Sequence, residues 1–460
     1  MENQPNLSTG RNLKIGLFHL GSGMADVIAT GIWNRIMISD LGFSATPIGL
    51  LVALRYFLAP LGVWAGRMSD RRAIGGYRRL FWIWSGRAMM AVSILVLGFT
   101  TATIARGVQV EPLHWLAITF AMLLFSLGSA FSGSTFLALI YDRTHEKQRG
   151  RAVGIVWTFL LLGFTLGGIL FGVLLPEHPA GETGLSFTPE TLQNLFVIAA
   201  LVLGGLWLGS LWGEERRSSG SVAAEAGSEH STSLRADLKA AWSHRQLRYF
   251  FWYLGLSMLF AFSQDLILEP FAGDVFAMEA RHTTRFAAYW GSMSILGTIV
   301  FLVLSRRIKW LTNTNMNYIG VSLLVVTFAV FALSSFAEIR PLVTPGLILL
   351  GLGLGFWNVG TLGLMMEMSP SGRAGTFLGF WTLVVTLARG IGVAGGGIFR
   401  DIFLSLSGSP NVAYGLVFAL GAVGLGVTIF LLTRVQVRQF KANYTAQPVE
   451  AEKVFAGAMD

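Results

Sequence analysis

Cysteine is absent from the 460 residues. That absence excludes disulfides, thiolate metal sites, iron–sulfur clusters and a cysteine nucleophile. Charge is scarce too: Asp, Glu, Lys and Arg make up 13% of the chain, against about 25% in a soluble domain. The sequence also lacks a Walker loop, a dinucleotide fingerprint, a zinc motif and a nucleophile triad, which argues against an enzyme of the soluble kind. The glycines from Gly351 to Gly355 lie inside an apolar run, where they signal close helix packing rather than a phosphate cradle. No secretory leader is evident: the chain is polar to about Leu13 and no small-residue cleavage site follows. The first apolar helix is therefore expected to stay in the mature protein.

What fills the chain is apolar. Hydrophobic residues make up 53%, and the mean hydropathy is +0.60, which places it in the membrane class. Its 34 Phe and 14 Trp suit lipid contact and interfacial belts. Its 55 Gly suit helices that approach closely in a bilayer. The net charge of +9 belongs to basic loops on one side of a membrane, not to nucleic-acid binding.

A spanning helix needs about 20 apolar residues. Twelve such runs are predicted, over 13–38, 46–66, 80–103, 113–140, 151–175, 191–212, 248–271, 286–305, 315–337, 342–367, 374–399 and 411–433. With the N-terminus inside, 25 of the 34 Lys and Arg fall on the inner side, five outside and four within spans. This bias predicts both termini in the cytoplasm. The expected organisation is an N-terminal six-helix half at 1–212, a cytoplasmic linker at 213–247, a C-terminal six-helix half at 248–435 and a flexible tail at 436–460. The linker opens on Glu214-Glu215-Arg216-Arg217 and reads as having little packing capacity. The stretch from Arg235 to Arg248 regains helical periodicity and suits the membrane surface.

An internal repeat supports two related halves. Arg149 through Trp157-Thr158 aligns without gaps to Arg373 through Trp381-Thr382, and further on Gly168 and Gly172 match Gly392 and Gly396. Helix 5 then corresponds to helix 11.

Ionisable residues inside spans are costly and mark functional candidates. They are His19, Asp26, Arg35 with its neighbour Asn34, Arg55, Arg87, Asp265 with its neighbour Gln264, Glu269 and Arg389. The signs nearly balance, so ion pairing that fixes helix register and a cavity-lining role both stay open. His19 is the one histidine predicted within a span; it suits axial ligation of a tetrapyrrole metal, or an ordinary interfacial hydrogen bond. Asp265 and Glu269, four apart, are expected on one helical face, with Pro270 ending or kinking the helix.

The loop after the second span reads Gly66-Arg67-Met68-Ser69-Asp70-Arg71-Arg72, then Gly75-Gly76-Tyr77-Arg78-Arg79. It resembles the helix 2–3 signature of the major facilitator superfamily, with one extra residue before the final basic pair. Gly66 permits a tight helix end and a close neighbour, and Asp70 can pair with Arg. The resemblance implies a conformational latch built on Gly66, Asp70 and Arg71; a positively charged loop with no gating role is the alternative. The loop after the eighth span lacks the pattern, so any latch is asymmetric.

The run Gln264-Asp265-Leu266-Ile267-Leu268-Glu269-Pro270-Phe271-Ala272-Gly273 resembles a signature of the bacteriochlorophyll-delivery, PucC/LhaA-like branch of that superfamily. Leu17-Phe18-His19, Gly31 through Ile38 and Gly76 through Trp84 agree with it, so the resemblance covers the chain apart from linker and tail. It implies an all-α membrane protein of major facilitator fold, with twelve transmembrane helices in two pseudo-symmetric six-helix bundles. It also implies handling of bacteriochlorophyll or chlorophyll as cargo, with antenna or reaction-centre polypeptides as partners, in an inner or photosynthetic membrane. His19 would then be a candidate axial ligand to the pigment magnesium. A proton-coupled transporter of a lipophilic or anionic solute is a second reading, with Asp26, Asp265 and Glu269 as proton carriers. A non-transporting subunit of a photosynthetic complex is a third.

Overall fold

The computed structural model describes residues 8–144, 149–177, 185–215, 245–305, 307–369, 374–437 and 439–440. Every extended element among them is helical. The first half comprises α1 (Thr9–Asp40), α2 (Ala45–Arg71), α3 (Leu80–Ala105), α4 (Pro112–Arg143), α5 (Arg149–Leu174) and α6 (Pro189–Leu211). The second comprises α7a (Arg245–Ala261) and α7b (Leu268–Phe276), α8 (Ala280–Leu304), α9 (Asn313–Phe336), α10 (Arg340–Glu367), α11 (Ala374–Ser407) and α12 (Pro410–Thr433). Among the described residues, eleven helices are long and apolar enough to cross a membrane. The two pieces of α7 make the twelfth crossing.

Helix starts follow local chemistry. Ser8, Thr188 and Thr312 cap α1, α6 and α9 through their hydroxyls. Pro112, Pro189 and Pro410 occupy first helical positions, where a missing N–H costs nothing. Pro60 interrupts α2 across Leu58–Pro60, because its ring cannot accept the preceding turn. Gly75 and Gly76 both have positive φ and close a tight turn between Ile74 and Tyr77. Gly66 does not end its helix: α2 continues to Arg71, and the close backbone approach is at Gly62, against the Ala130 carbonyl.

Glycine sets the helix spacing within each half. A methyl group on Gly163 would collide with the Leu20 carbonyl, and one on Gly23 with the Leu160 carbonyl. Gly392 and Gly396 lie in the same way on the Leu259 and Ser263 carbonyls of helix 7. Gly351 and Gly355 meet the Trp290 and Ser294 carbonyls of α8, as an apolar glycine cluster should. Gly163→Leu is expected to cost at least about 1–3 kcal/mol through overpacking. An unchanged thermal midpoint in detergent would show that α1 and α5 are not held at this spacing.

Helix 7 differs from expectation. It unwinds over Phe262–Ile267, before Pro270, which sits third in α7b among N–H groups that lack helical partners anyway. Asp265 is in the unwound turn and Glu269 in the first turn of α7b, so the two acids share no single helical face. Opposite the break, α1 winds into π-helix over Val27–Ile32 and Ile36–Asp40.

The repeat holds at the level of elements but not in register. Gly168 and Gly172 pack across the seam on the Thr284 and Arg281 carbonyls of α8, whereas Gly392 and Gly396 pack inside their own half. Trp157 is 52% exposed, while Trp381 is buried beside Phe250, Phe377 and Phe380. Moving the alignment by one residue, about 100° of helix, brings seam-facing Gly172 onto seam-facing Gly397.

Linker and tail are also less detached than expected. Glu214 is buried and bonds Arg11 (2.7 Å) and Lys14 (3.4 Å). The Glu215 carboxylate accepts from the backbone N–H of Arg78, Arg79 and Leu80, capping α3. Residues 216–244, with the surface stretch starting at Arg235, lie outside the described residues. At the tail, Phe440 is buried, and the Gln436 N–H donates to Gln246.

Candidate functional site

The halves meet along α2 with α11, α5 with α8 and α1 with helix 7. We call the membrane face where α1 begins and α12 ends the basic face, and the opposite one the far face. Among the described residues, polar contacts between the halves lie at mid-depth or towards the far face. Towards the basic face no such contact joins the halves among the described residues, and we read this opening of the seam as a cleft.

At the apex of that cleft two ion pairs face each other. Asp26 of α1 accepts from Arg55 Nη1 of α2 at 2.6 Å, and Asp265 of the helix 7 break accepts from Arg389 Nη2 of α11 at 2.8 Å. Tyr56 lies between them: Arg55 donates to its hydroxyl, and the guanidinium carbons of Arg55 and Arg389 stand 4.7 and 5.2 Å from its ring centre. Arg389 also lies 3.9 Å over Phe262, and Gln264 donates to Asp265 at 2.7 Å. The pairs are partly open, with 26% of the Asp26 side chain and 30% of the Arg389 side chain exposed. The apex is thus polar, rich in donors and neutral in sum.

Beyond it, a second network bolts the halves at the far face. Asn34 Nδ2 donates to the Leu266 carbonyl (2.7 Å), satisfying an acceptor freed by the helix 7 break. Arg35 pairs with Asp40 (2.9 Å) and donates to the Met278 carbonyl (2.8 Å). Asp274 of α7b accepts from Ser39, from Arg400 (2.8 Å) and from Tyr414 (2.7 Å). Asp401 bonds Arg400 (2.9 Å) and caps α2 through the N–H groups of Ala45 and Thr46 (3.0 and 2.7 Å). Arg281 of α8 reaches Glu177 beyond α5 at 3.0 Å.

Two candidates stay outside this pairing. Arg87, 5% exposed, has no acid partner among the described residues; it lies between the rings of Phe18 (4.3 Å) and Trp207 (4.8 Å). Glu269, 7% exposed, has no cation partner among them and faces Gly31. His19 sits beside Phe18 and Phe136, with Trp157 edge-on at 6.3 Å. Its Nδ1 is buried without a hydrogen-bond partner, whereas metal-bound imidazoles normally have that nitrogen braced.

The helix 2–3 loop is engaged within its own half. Asp70 pairs with Arg79 at 2.5 Å, and Arg79 and Arg78 both reach Asp142 of α4 (3.0 and 2.9 Å). Arg71 is exposed, and Gly66 has room beside it.

Sequence reasoning missed Asp40, Asp274, Arg400, Asp401 and Tyr414. Each falls at or beyond the edge of an expected span. The available signal was three acids and an arginine collecting at the same membrane face on helices 1, 7 and 11. Tyr56 and Phe262 gave no signal, since aromatic residues are common throughout.

Comparison with known proteins agrees with the architecture. A nucleoside transporter NupG structure superposes with a TM-score of 0.66 at 14% identity, covering 92% of this chain and 99% of that one. A bacterial homologue of the lysosomal transporter Spinster, inward-facing, superposes at 0.64 and 16%, covering 94% and 96%. These likenesses establish the fold of major facilitator transporters. In sequence, the chain is 30% identical to the bacteriochlorophyll synthase 44.5 kDa chain of Rhodobacter capsulatus, over 92% of this chain and 94% of that one. It is 29% identical to Protein PucC of Cereibacter sphaeroides, over 91% and 90%. The family model described as PUCC protein matches residues 32–440. This twelve-crossing membrane protein belongs to the PUCC protein family.

Proposed function

We propose that the chain handles (bacterio)chlorophyll for light-harvesting or reaction-centre biogenesis, as a carrier rather than an enzyme, with its basic face in the cytoplasm of a phototroph's inner or intracytoplasmic membrane. The observation that carries this reading is the cleft, whose apex is donor-rich yet neutral in sum. It favours a large uncharged ligand with carbonyl acceptors over a simple anion or cation. The names of the relatives supply the pigment, and antenna or reaction-centre polypeptides are the receivers. Positive loops on the basic face support the orientation. Gly66, Asp70 and Arg71 would form the latch when the cleft closes.

Purified full-length protein in lipid nanodiscs is expected to take up bacteriochlorophyll a with a saturable absorbance change. His19→Ala is expected to shift the bound band if His19 supplies the axial nitrogen. No uptake by the wild type counts against the pigment reading; an unshifted band in the variant removes His19 as a ligand.

Glu269 favours proton coupling as a second reading. Asp26 and Asp265 are held by arginines, which leaves Glu269 as the acid best placed to exchange a proton as the halves move. Glu269→Gln should then abolish gradient-driven uptake into proteoliposomes while sparing binding; retained uptake removes it from that role.

A further inference from the structure

The placement of Trp157 is unusual for an exposed tryptophan of a membrane helix. Such indoles ordinarily face lipid at the headgroup level. Here the helix geometry says otherwise. Phe164 and Gly168 follow Trp157 by seven and eleven residues, so all three lie within about 20° of one line along α5. Phe164 packs on Trp290 of α8 at 4.9 Å, and Gly168 on the α8 backbone. That line is therefore the seam-facing one. The lipid-facing residues Leu166, Ile169, Leu170 and Val173 are exposed and lie about 120–180° away. Trp157 continues the seam face towards the basic side, and it is 52% exposed there. The His19 ring stands near-perpendicular to it, at 6.3 Å and 84°.

Resting on the pigment reading, we propose that Trp157 is a stacking platform for a flat aromatic macrocycle in the cleft, flanked by His19. A planar π-face against an indole gains offset stacking beyond area burial. The chain itself illustrates the match: Trp381, at the corresponding level of α11, is covered by the rings of Phe250, Phe377 and Phe380 at 4.9–6.2 Å. In the cleft the ligand would supply that cover.

The test titrates full-length wild type, Trp157→Leu and Trp157→Phe in nanodiscs with bacteriochlorophyll a and, separately, with 1-pyrenemethanol. Binding is followed by absorbance and by energy transfer from tryptophan. Because Trp157 is half exposed, both variants should elute as the wild type does on size exclusion. Trp157→Leu is expected to weaken pigment binding about three- to tenfold, and Trp157→Phe to retain most of it. Equal affinity in Trp157→Leu and wild type overturns the proposal. If the wild type binds pyrene but no tetrapyrrole, and Trp157→Leu loses the pyrene, the platform stands and the pigment reading falls. If the wild type binds neither, both fall.

Discussion

Asp274→Ala is expected to destabilise the folded chain by about 3–5 kcal/mol, the largest effect of any single change outside the glycine contacts. The carboxylate is shared by Ser39, Arg400 and Tyr414, from three helices and both halves. Its removal leaves a guanidinium that is 8% exposed with Asp401 as its one acid partner among the described residues. Asp401 is already committed to the N-terminus of α2, so it is poorly placed to compensate. The loss should also free the halves at the far face. The absence of cysteine makes this measurable: Ser44→Cys and Leu406→Cys, exposed on opposite halves, can carry spin labels without other changes. A longer or broader label distance and a lowered thermal midpoint are expected. A narrow, unmoved distance with an unchanged midpoint would mean that the far-face network does not hold the halves together.

The second large effect belongs to the apex. Asp265→Ala leaves Arg389 against Phe262 and Tyr56 with no acid at hand, and is expected to cost about 3 kcal/mol or more. Both groups are 20–30% exposed to the cleft, so water will recover part of that cost and the figure is an upper range. The double change Asp265→Leu with Arg389→Met should restore most of the stability, because removing both partners removes the orphaned charge. It should not restore pigment binding, since the donors aimed into the cleft are gone. A double variant as unstable as the single one would show that the pair fixes local geometry beyond its charge.

Much of the fold was legible because length and hydropathy decide it. Runs of about 20 apolar residues can only be spans, and the basic loops divide them into two faces. The near balance of buried charge was legible too, and it anticipated pairing without naming partners: which acid meets which arginine depends on helix contacts such as α2 with α11. The break in helix 7 was not legible at its true place. Phe262 to Ile267 contains no proline or glycine; the unwound turn is held from outside, by Asn34 on the Leu266 carbonyl and by Gly396 against the Ser263 carbonyl. The far-face network was hidden for a further reason. It gathers residues near the ends of five helices, where the expected spans give way to loops.

The seam contacts of α11 with α2 described above run from Asp401 back to Arg389. At about 1.5 Å per residue, the arm from Arg389 to Ala374 is about 22 Å and the arm from Arg389 to Ser407 about 27 Å. Were α11 to tilt about the paired arginines, its two arms would be of similar length. A tilt of about 10° that narrowed the mouth of the cleft by about 4 Å would carry the other tip outwards by a similar distance. Hydrogen bonds tolerate only a fraction of an ångström of stretch. Closure of the mouth by such a tilt would therefore require the grip of Asp401 on α2 and the bonds to Asp274 to let go, so that the far-face contacts rather than the cleft walls would set the threshold for movement.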